Sequence, residues 1–275
     1  MAAASQAPAA VTVEPVRYQS AGREIAADLY LPARPRGLVV FAHGNRPQGR
    51  KHVLARALAA ALGRHFTTLA FDFRGYGESG PLGPYRPGMT LDLTDDIIGG
   101  ARLLARRFGV PIEDVILVGH SFGSGSVLLA GNKIGSRRVV ALGPTEADAA
   151  FRRPDFPAIQ ARKLKRVGLD VPLDAVEGLY APLRAKALFA TCPTGKRLFI
   201  WGEREIGYAT FAPHLARLRQ SCPGVVEVAI VPFANHMYWT EGRGAWRYRL
   251  LNLFIAERDW TDAAVGAILR HLPAG

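Results

Sequence analysis

The 275-residue chain predicts an α/β protein with a mostly parallel central sheet and helices on both of its faces. Short β-branched runs alternate with longer stretches in which apolar residues recur at helical spacing. Several of the short runs are apolar without interruption, as buried parallel strands are. Apolar residues make up 49% of the chain, enough area for one large hydrophobic core.

In chain order, residues 11–18 and 24–31 alternate polar and apolar and predict an antiparallel opening hairpin, ended by Leu31-Pro32. LVVFA, between Gly37 and His43, predicts a buried central strand, and residues 50–62 a helix that Gly63 ends. FTTLAFD (66–72) is the next strand, and RGYGESGPLGPYRPG after it holds too many glycines and prolines to be anything but loop. A helix is expected from Thr90 to Phe108, with Thr90 as cap and Asp92, Asp95 and Asp96 favouring its positive N-terminus. DVILVG (114–119) predicts a strand, Ser121 to Asn132 a helix, and RRVVALG (137–143) a strand. Prolines at 144, 154, 157, 172 and 182 then break the rhythm. It returns with the strand RLFIWG (197–202), a helix over 208–220, the strand VVEVAIV (225–231), and helices near 243–257 and 261–272, the last capped by Thr261. The chain therefore divides into a loose tail over 1–10 and one domain over 11–275, with a lid-like insertion at about 144–195.

Composition narrows the function. There are 35 basic and 23 acidic side chains, a net charge of +12, yet only 6 of the basic residues are lysine. The arginines are spread along the chain, and the dense patch is Arg152-Arg153 with Arg162, Lys163, Lys165 and Arg166. Without interleaved aromatics or a binding motif this patch does not predict a nucleic-acid partner; it reads as a solvated surface, with attraction of an anionic small substrate as the alternative. No run approaches the roughly 18 to 20 apolar residues of a membrane span. Two cysteines, Cys192 and Cys222, make neither a disulfide framework nor a zinc site, which favours a reducing setting. The leader MAAASQAPAA lacks the basic and apolar regions of a secretory signal, so the expected location is cytoplasmic. No metal-ligand cluster or cofactor motif is present in the sequence, and oligomeric state is not legible in it.

The sharpest motif is Gly119-His120-Ser121-Phe122-Gly123, at the junction of the strand DVILV with a helix. A Gly-x-Ser-x-Gly turn at that junction is tight enough to hold its serine in a strained conformation, proud of the sheet and beside the helix N-terminus. With this motif the chain resembles an α/β-hydrolase over residues of about 24 to 272. His43-Gly44-Asn45 resembles the family's His-Gly-x oxyanion turn, and Asp72-Phe73-Arg74-Gly75-Tyr76-Gly77-Glu78-Ser79 its Asp-x-Arg-Gly-x-Gly-x-Ser loop. ADLYLPARPRGLVVFAHG is similar to dienelactone-hydrolase-like and serine-aminopeptidase-like esterases, although dienelactone hydrolases proper use a cysteine where Ser121 stands.

A serine hydroxyl needs an adjacent base, itself oriented by a carboxylate. The resemblance implies His236 as that base, in the loop after VVEVAIV, where this fold gathers its late loops beside the nucleophile. His43 then has a structural role, and His120 flanks the serine pointing away. The implied acid is Glu205, three residues after the Gly that ends RLFIWG, with Glu203, Glu146 and Asp148 as the other candidates. The backbone N–H groups of Asn45 and Phe122 are the implied oxyanion donors. Phe151, Phe156, Leu179 and Tyr180 of the insertion, with Met237, Tyr238 and Trp239 beside His236, are candidate pocket walls. The expected activity is hydrolysis of a carboxylic ester, thioester or lactone through an acyl-enzyme. Alternatives are peptidase, thioesterase, acyltransferase, haloperoxidase-like or carbon–carbon-bond hydrolase chemistry, or a binding protein that kept the fold and lost turnover.

Overall fold

The computed structural model describes residues 10–205, 207–232, 234–238 and 261–272. Its strands are β1 (Val11–Ser20), β2 (Arg23–Pro32), β3 (Leu38–Ala42), β4 (Thr67–Phe71), β5 (Ile116–His120), β6 (Arg138–Leu142), β7 (Lys196–Gly202) and β8 (Val226–Val231). They form one sheet in the order β1-β2-β4-β3-β5-β6-β7-β8. β1 and β2 make the expected hairpin, and β2 runs antiparallel to β4. Every other neighbouring pair is parallel. β3, β4 and β5 are buried along almost their whole length, which is why they read as unbroken apolar runs.

The helices are α1 (Val53–Gly63), α2 (Thr94–Phe108), α3 (Phe122–Ile134), α4 (Ala147–Phe151), α5 (Phe156–Arg166), α6 (Val176–Leu179), α7 (Ala185–Leu188), α8 (Gly207–Ser221) and α9 (Thr261–His271). α1 and α9 pack on one face of the sheet through Leu58, Leu62, Ala264 and Ile268. α2, α3 and α8 pack on the other through Ile97, Leu104, Val127 and Phe211. The proline-broken segment between β6 and β7 carries α4 to α7, and its Leu164, Leu169, Val176 and Leu179 are buried in this second core. The expected helix near 243–257 lies outside the described residues.

The start of α2 differs from expectation. α2 starts at Thr94 instead of Thr90: the Leu91 N–H donates to the Leu179 carbonyl (2.8 Å), and the Leu93 N–H closes a tight turn onto the Leu91 carbonyl (3.1 Å). Asp92, not Thr90, closes the turn, its carboxylate accepting from the Thr94 N–H (3.1 Å) and hydroxyl (2.5 Å). Gly63 does end α1, yet its smallness serves packing: a Cβ there would lie 2.7 Å from Cβ of Tyr30. The structure also joins Cys192 to Cys222 in a disulfide, a link between the end of the inserted segment and the end of α8 that the sequence reading did not anticipate.

The Gly-rich loop after β4 is held by a buried charge. Asp72 is fully buried; its carboxylate accepts the N–H groups of Arg50 (2.6 Å) and Glu78 (2.9 Å) and pairs with the Arg50 guanidinium. The same guanidinium reaches Asp28 (2.9 Å) and Glu78 (2.7 Å), while the Ser79 hydroxyl bonds back to the Asp72 carbonyl (2.6 Å). Removing one member of such a network strands the other charge. Asp72→Ala is expected to lose about 3–5 kcal/mol, read as a lower urea midpoint at unchanged slope; a loss below about 1 kcal/mol would contradict this role.

Candidate active site

β3 pairs with β4 on one side and β5 on the other, so the chain leaves their C-terminal ends in opposite directions. A crevice forms at such a reversal in an open parallel sheet. His43-Gly44-Asn45 follows β3, and Ser121 follows β5.

Ser121 has φ +54° and ψ −115°, outside the regions ordinary L residues favour. Its neighbours leave the backbone no alternative. A Cβ on Gly119 would lie 2.2 Å from the Gly123 carbonyl oxygen, and one on Gly123 would lie 2.3 Å from that of Ala42. The Ser121 N–H donates to the Leu142 carbonyl (2.8 Å), and the Ser124 hydroxyl bonds to the carbonyls of Ser121 (2.7 Å) and Leu142 (2.9 Å). The corner is thus fixed from β6 as well as from α3.

Ser121 Oγ stands 3.0 Å from His236 Nε2, and His236 Nδ1 is hydrogen-bonded to Glu205 Oε1. The Glu205 side chain is nearly sealed from solvent, at 4% exposure, and its other oxygen accepts the Gly202 N–H (3.3 Å). With the ring N–H directed at the carboxylate, Nε2 presents its lone pair to the serine hydroxyl. The other acid candidates are placed differently. Glu146 caps α4 by accepting the N–H groups of Asp148 (3.1 Å) and Ala149 (2.6 Å). Asp148 pairs with Arg184 (2.9 Å), and Glu203 is exposed in the turn after β7. One residue escaped sequence reading: Gly143, where a Cβ would sit 2.8 Å from Glu205 Oε1 and 3.0 Å from His236 Nδ1. No motif marks it; only the space it leaves for that pair does.

Two further imidazoles are buried beside the site as neutral rings. His43 Nδ1 donates to the Gly44 carbonyl (2.7 Å), and its Nε2 accepts the Phe73 N–H (3.1 Å). Burial foremost lowers its pKa to about 4. His120 Nε2 donates to the His236 carbonyl (2.9 Å), and burial followed by the neighbouring His236 ring lowers its pKa to about 3. His120 therefore points away from Ser121 and pins the loop that carries His236.

Among the described residues, the backbone N–H groups of Asn45 and Phe122 donate to no protein atom. The Asn45 side chain faces elsewhere: Oδ1 accepts the Tyr76 hydroxyl (2.8 Å), and Nδ2 donates to Gln160 Oε1 (3.1 Å) and to the Tyr180 hydroxyl (3.2 Å). Three cavities of about 110, 200 and 430 Å³, all lined in part by His236, surround the site. Phe151, Phe156 and Tyr180 line the second, together with Ser121 and Phe122. Leu179 lines none of these three; it is buried in the core. Met237 lines the first and third. Tyr238 is a correction to the expected pocket wall: it is fully buried, with φ +48° turning it beneath the site, where its hydroxyl donates to the Ile200 carbonyl (2.8 Å). Trp239 lies outside the described residues.

With this geometry in place, comparison with known proteins decides the family. The family model described as alpha/beta hydrolase matches residues 39–273. The chain belongs to the alpha/beta hydrolase family. This alpha/beta hydrolase is similar to an esterase of Pyrococcus furiosus at 16% identity, covering 96% of this chain and 94% of that one with a TM-score of 0.63. It is similar also to Est1E of Butyrivibrio proteoclasticus, determined with ferulic acid bound, at 18% identity over 93% and 98% of the two chains and a TM-score of 0.60. At such identities the likeness is one of fold. A proline iminopeptidase of Pestalotiopsis fici is 37% identical over 86 residues, which is 31% of this chain and 28% of that protein's length. Among the described residues no helix is long and apolar enough to cross a membrane.

The neutral histidines tie stability to pH. Each is held neutral when folded and gains a proton at about pH 6.5 when unfolded, so its contribution is present above that pH and is lost as pH falls toward the folded value. Acidification from about pH 7 to about pH 4.5 is expected to lower unfolding free energy by about 2 kcal/mol for each of them, measured by urea titration. A stability flat across that window would show that the two rings are not held neutral.

Proposed function

We propose that this protein is a serine hydrolase that cleaves a carboxylic ester, thioester or lactone through an acyl-enzyme, with Ser121 as nucleophile, His236 as general base and acid, and Glu205 as the acid that orients His236. The observation that carries the reading is the continuous chain from Ser121 Oγ through His236 to Glu205, with the serine on a strained corner at the sheet's reversal point.

In this mechanism Ser121 Oγ attacks the acyl carbon as its proton passes to His236 Nε2. Glu205 stays ionised and stabilises the imidazolium. Negative charge builds on the former carbonyl oxygen, and the N–H groups of Asn45 and Phe122 are its donors; such donors are typically worth about two to three powers of ten in rate each. His236 returns the proton to the leaving alkoxide, leaving an acyl group on Ser121. A water molecule, deprotonated by the same imidazole, then releases the acid. The segment over about 144–195 serves as the lid that shapes the acyl pocket with Phe151, Phe156 and Tyr180.

The proline iminopeptidase match favours a second reading, amide cleavage at a peptide N-terminus on the same residues. Hydrolysis of 4-nitrophenyl butyrate against that of proline 4-nitroanilide separates the two. On the ester, Ser121→Ala and His236→Ala are each expected to lower kcat by about four to six powers of ten, and Glu205→Gln by about three to four. Full activity in Ser121→Ala would refute the mechanism. A loss with Glu203→Gln as large as with Glu205→Gln would move the acid.

A further inference from the structure

The basic patch of the inserted segment resolves into residues with different fates. Arg153 pairs with Asp155 (3.2 Å) and Lys165 with Asp170 (3.1 Å), while Arg152, Arg162 and Arg166 are exposed. Lys163 is set apart. It is half-buried, lines both the 110 and the 200 Å³ cavities beside Ser121, and has no carboxylate partner among the described residues. Burial foremost, and then the Arg46 guanidinium, pushes its pKa down, as befits an ammonium without a counter-ion. Arg46 lines the smaller cavity too, exposed and without an ion-pair partner among the described residues.

Gln160, one turn earlier on α5, lines the same chamber and is buried to 4% exposure. Its Oε1 accepts from both Asn45 Nδ2 and the Tyr180 hydroxyl (3.1 Å each), which fixes the orientation of the amide. The amide nitrogen is then left with no acceptor among the described residues, and it is not sealed from solvent. Residues three apart share one face of a helix. An ammonium and an oriented N–H donor therefore line one chamber beside the serine, with no acidic side chain among the residues lining either of the two cavities.

We propose that Lys163 and Gln160 form an anion subsite and that the preferred substrate is an ester carrying a carboxylate, such as a dicarboxylic acid half-ester. This rests on the serine-hydrolase reading and deepens it. A bound carboxylate supplies the counter-ion that Lys163 lacks and accepts the free N–H of Gln160, while Arg46 at the cavity wall adds attraction over longer range. The aromatic rings of Phe151 and Phe156 pack on the intervening carbon chain.

The test compares kcat/KM for monoethyl adipate with that for ethyl hexanoate, a neutral ester of the same acyl length, by proton release in wild type, Lys163→Arg, Lys163→Met and Ser121→Ala. Wild type is expected to favour the anionic ester by at least about tenfold. Lys163→Met is expected to lower that ratio by about ten- to a hundredfold, mainly through KM, and Lys163→Arg to keep most of it. A wild type without preference for the anion, or the same ratio in Lys163→Met as in wild type, would overturn the subsite. Turnover that persists in Ser121→Ala would instead overturn the serine-hydrolase reading, so the two failures are told apart.

Discussion

Close backbone contact at the corner between β5 and α3 is the constraint on which the rest of the site depends. Gly119 and Gly123 leave no room for a side chain between the two strand ends and the first turn of α3, and the chain turns through Ser121 at positive φ. Strain of this kind costs on the order of 1–3 kcal/mol and persists only when its surroundings over-determine it. Here they do: β6 receives the Ser121 N–H, and Ser124 binds two carbonyls around the corner. The product is a hydroxyl that meets an imidazole carried more than a hundred residues later in the chain.

That imidazole is positioned by groups of contrasting character. Glu205 is sealed and acts on Nδ1, while neutral His120 acts on the backbone carbonyl of His236. Gly143 supplies the space in which Glu205 and His236 meet. On the far side, Asn45 commits its side chain to Tyr76, Gln160 and Tyr180, and so joins the loop after β3 to the inserted segment. Two clusters of polar contacts thus flank the site, one fixing the corner and His236, the other tying the loop after β3 to the inserted segment. Buried networks of this sort rigidify a site when their members are satisfied.

The strands were readable because parallel strands buried on both faces leave unbroken apolar runs, as VVFA and ILVG show. Ser121, Glu205 and His236 were legible through a turn motif and two loop positions, and the structure brings those three side chains together. What escaped detection depends on tertiary contact. Thr90 has a capping side chain, yet Leu91 bonds to Leu179 and α2 starts only at Thr94. Tyr238 stands two residues from His236, but a positive φ turns it into the core. Lys163 looked like one of six equivalent cations, because only the packing of the inserted segment beside Ser121 sets it apart.

The nucleophilicity of Ser121, made by its corner and by His236, is the central claim, and covalent capture tests it most directly. Intact-mass analysis after exposure to a fluorophosphonate should show one adduct per chain, mapped by peptide sequencing to Ser121, formed far more slowly in His236→Ala. An adduct on another residue, or equally fast capture without the imidazole, would contradict the account.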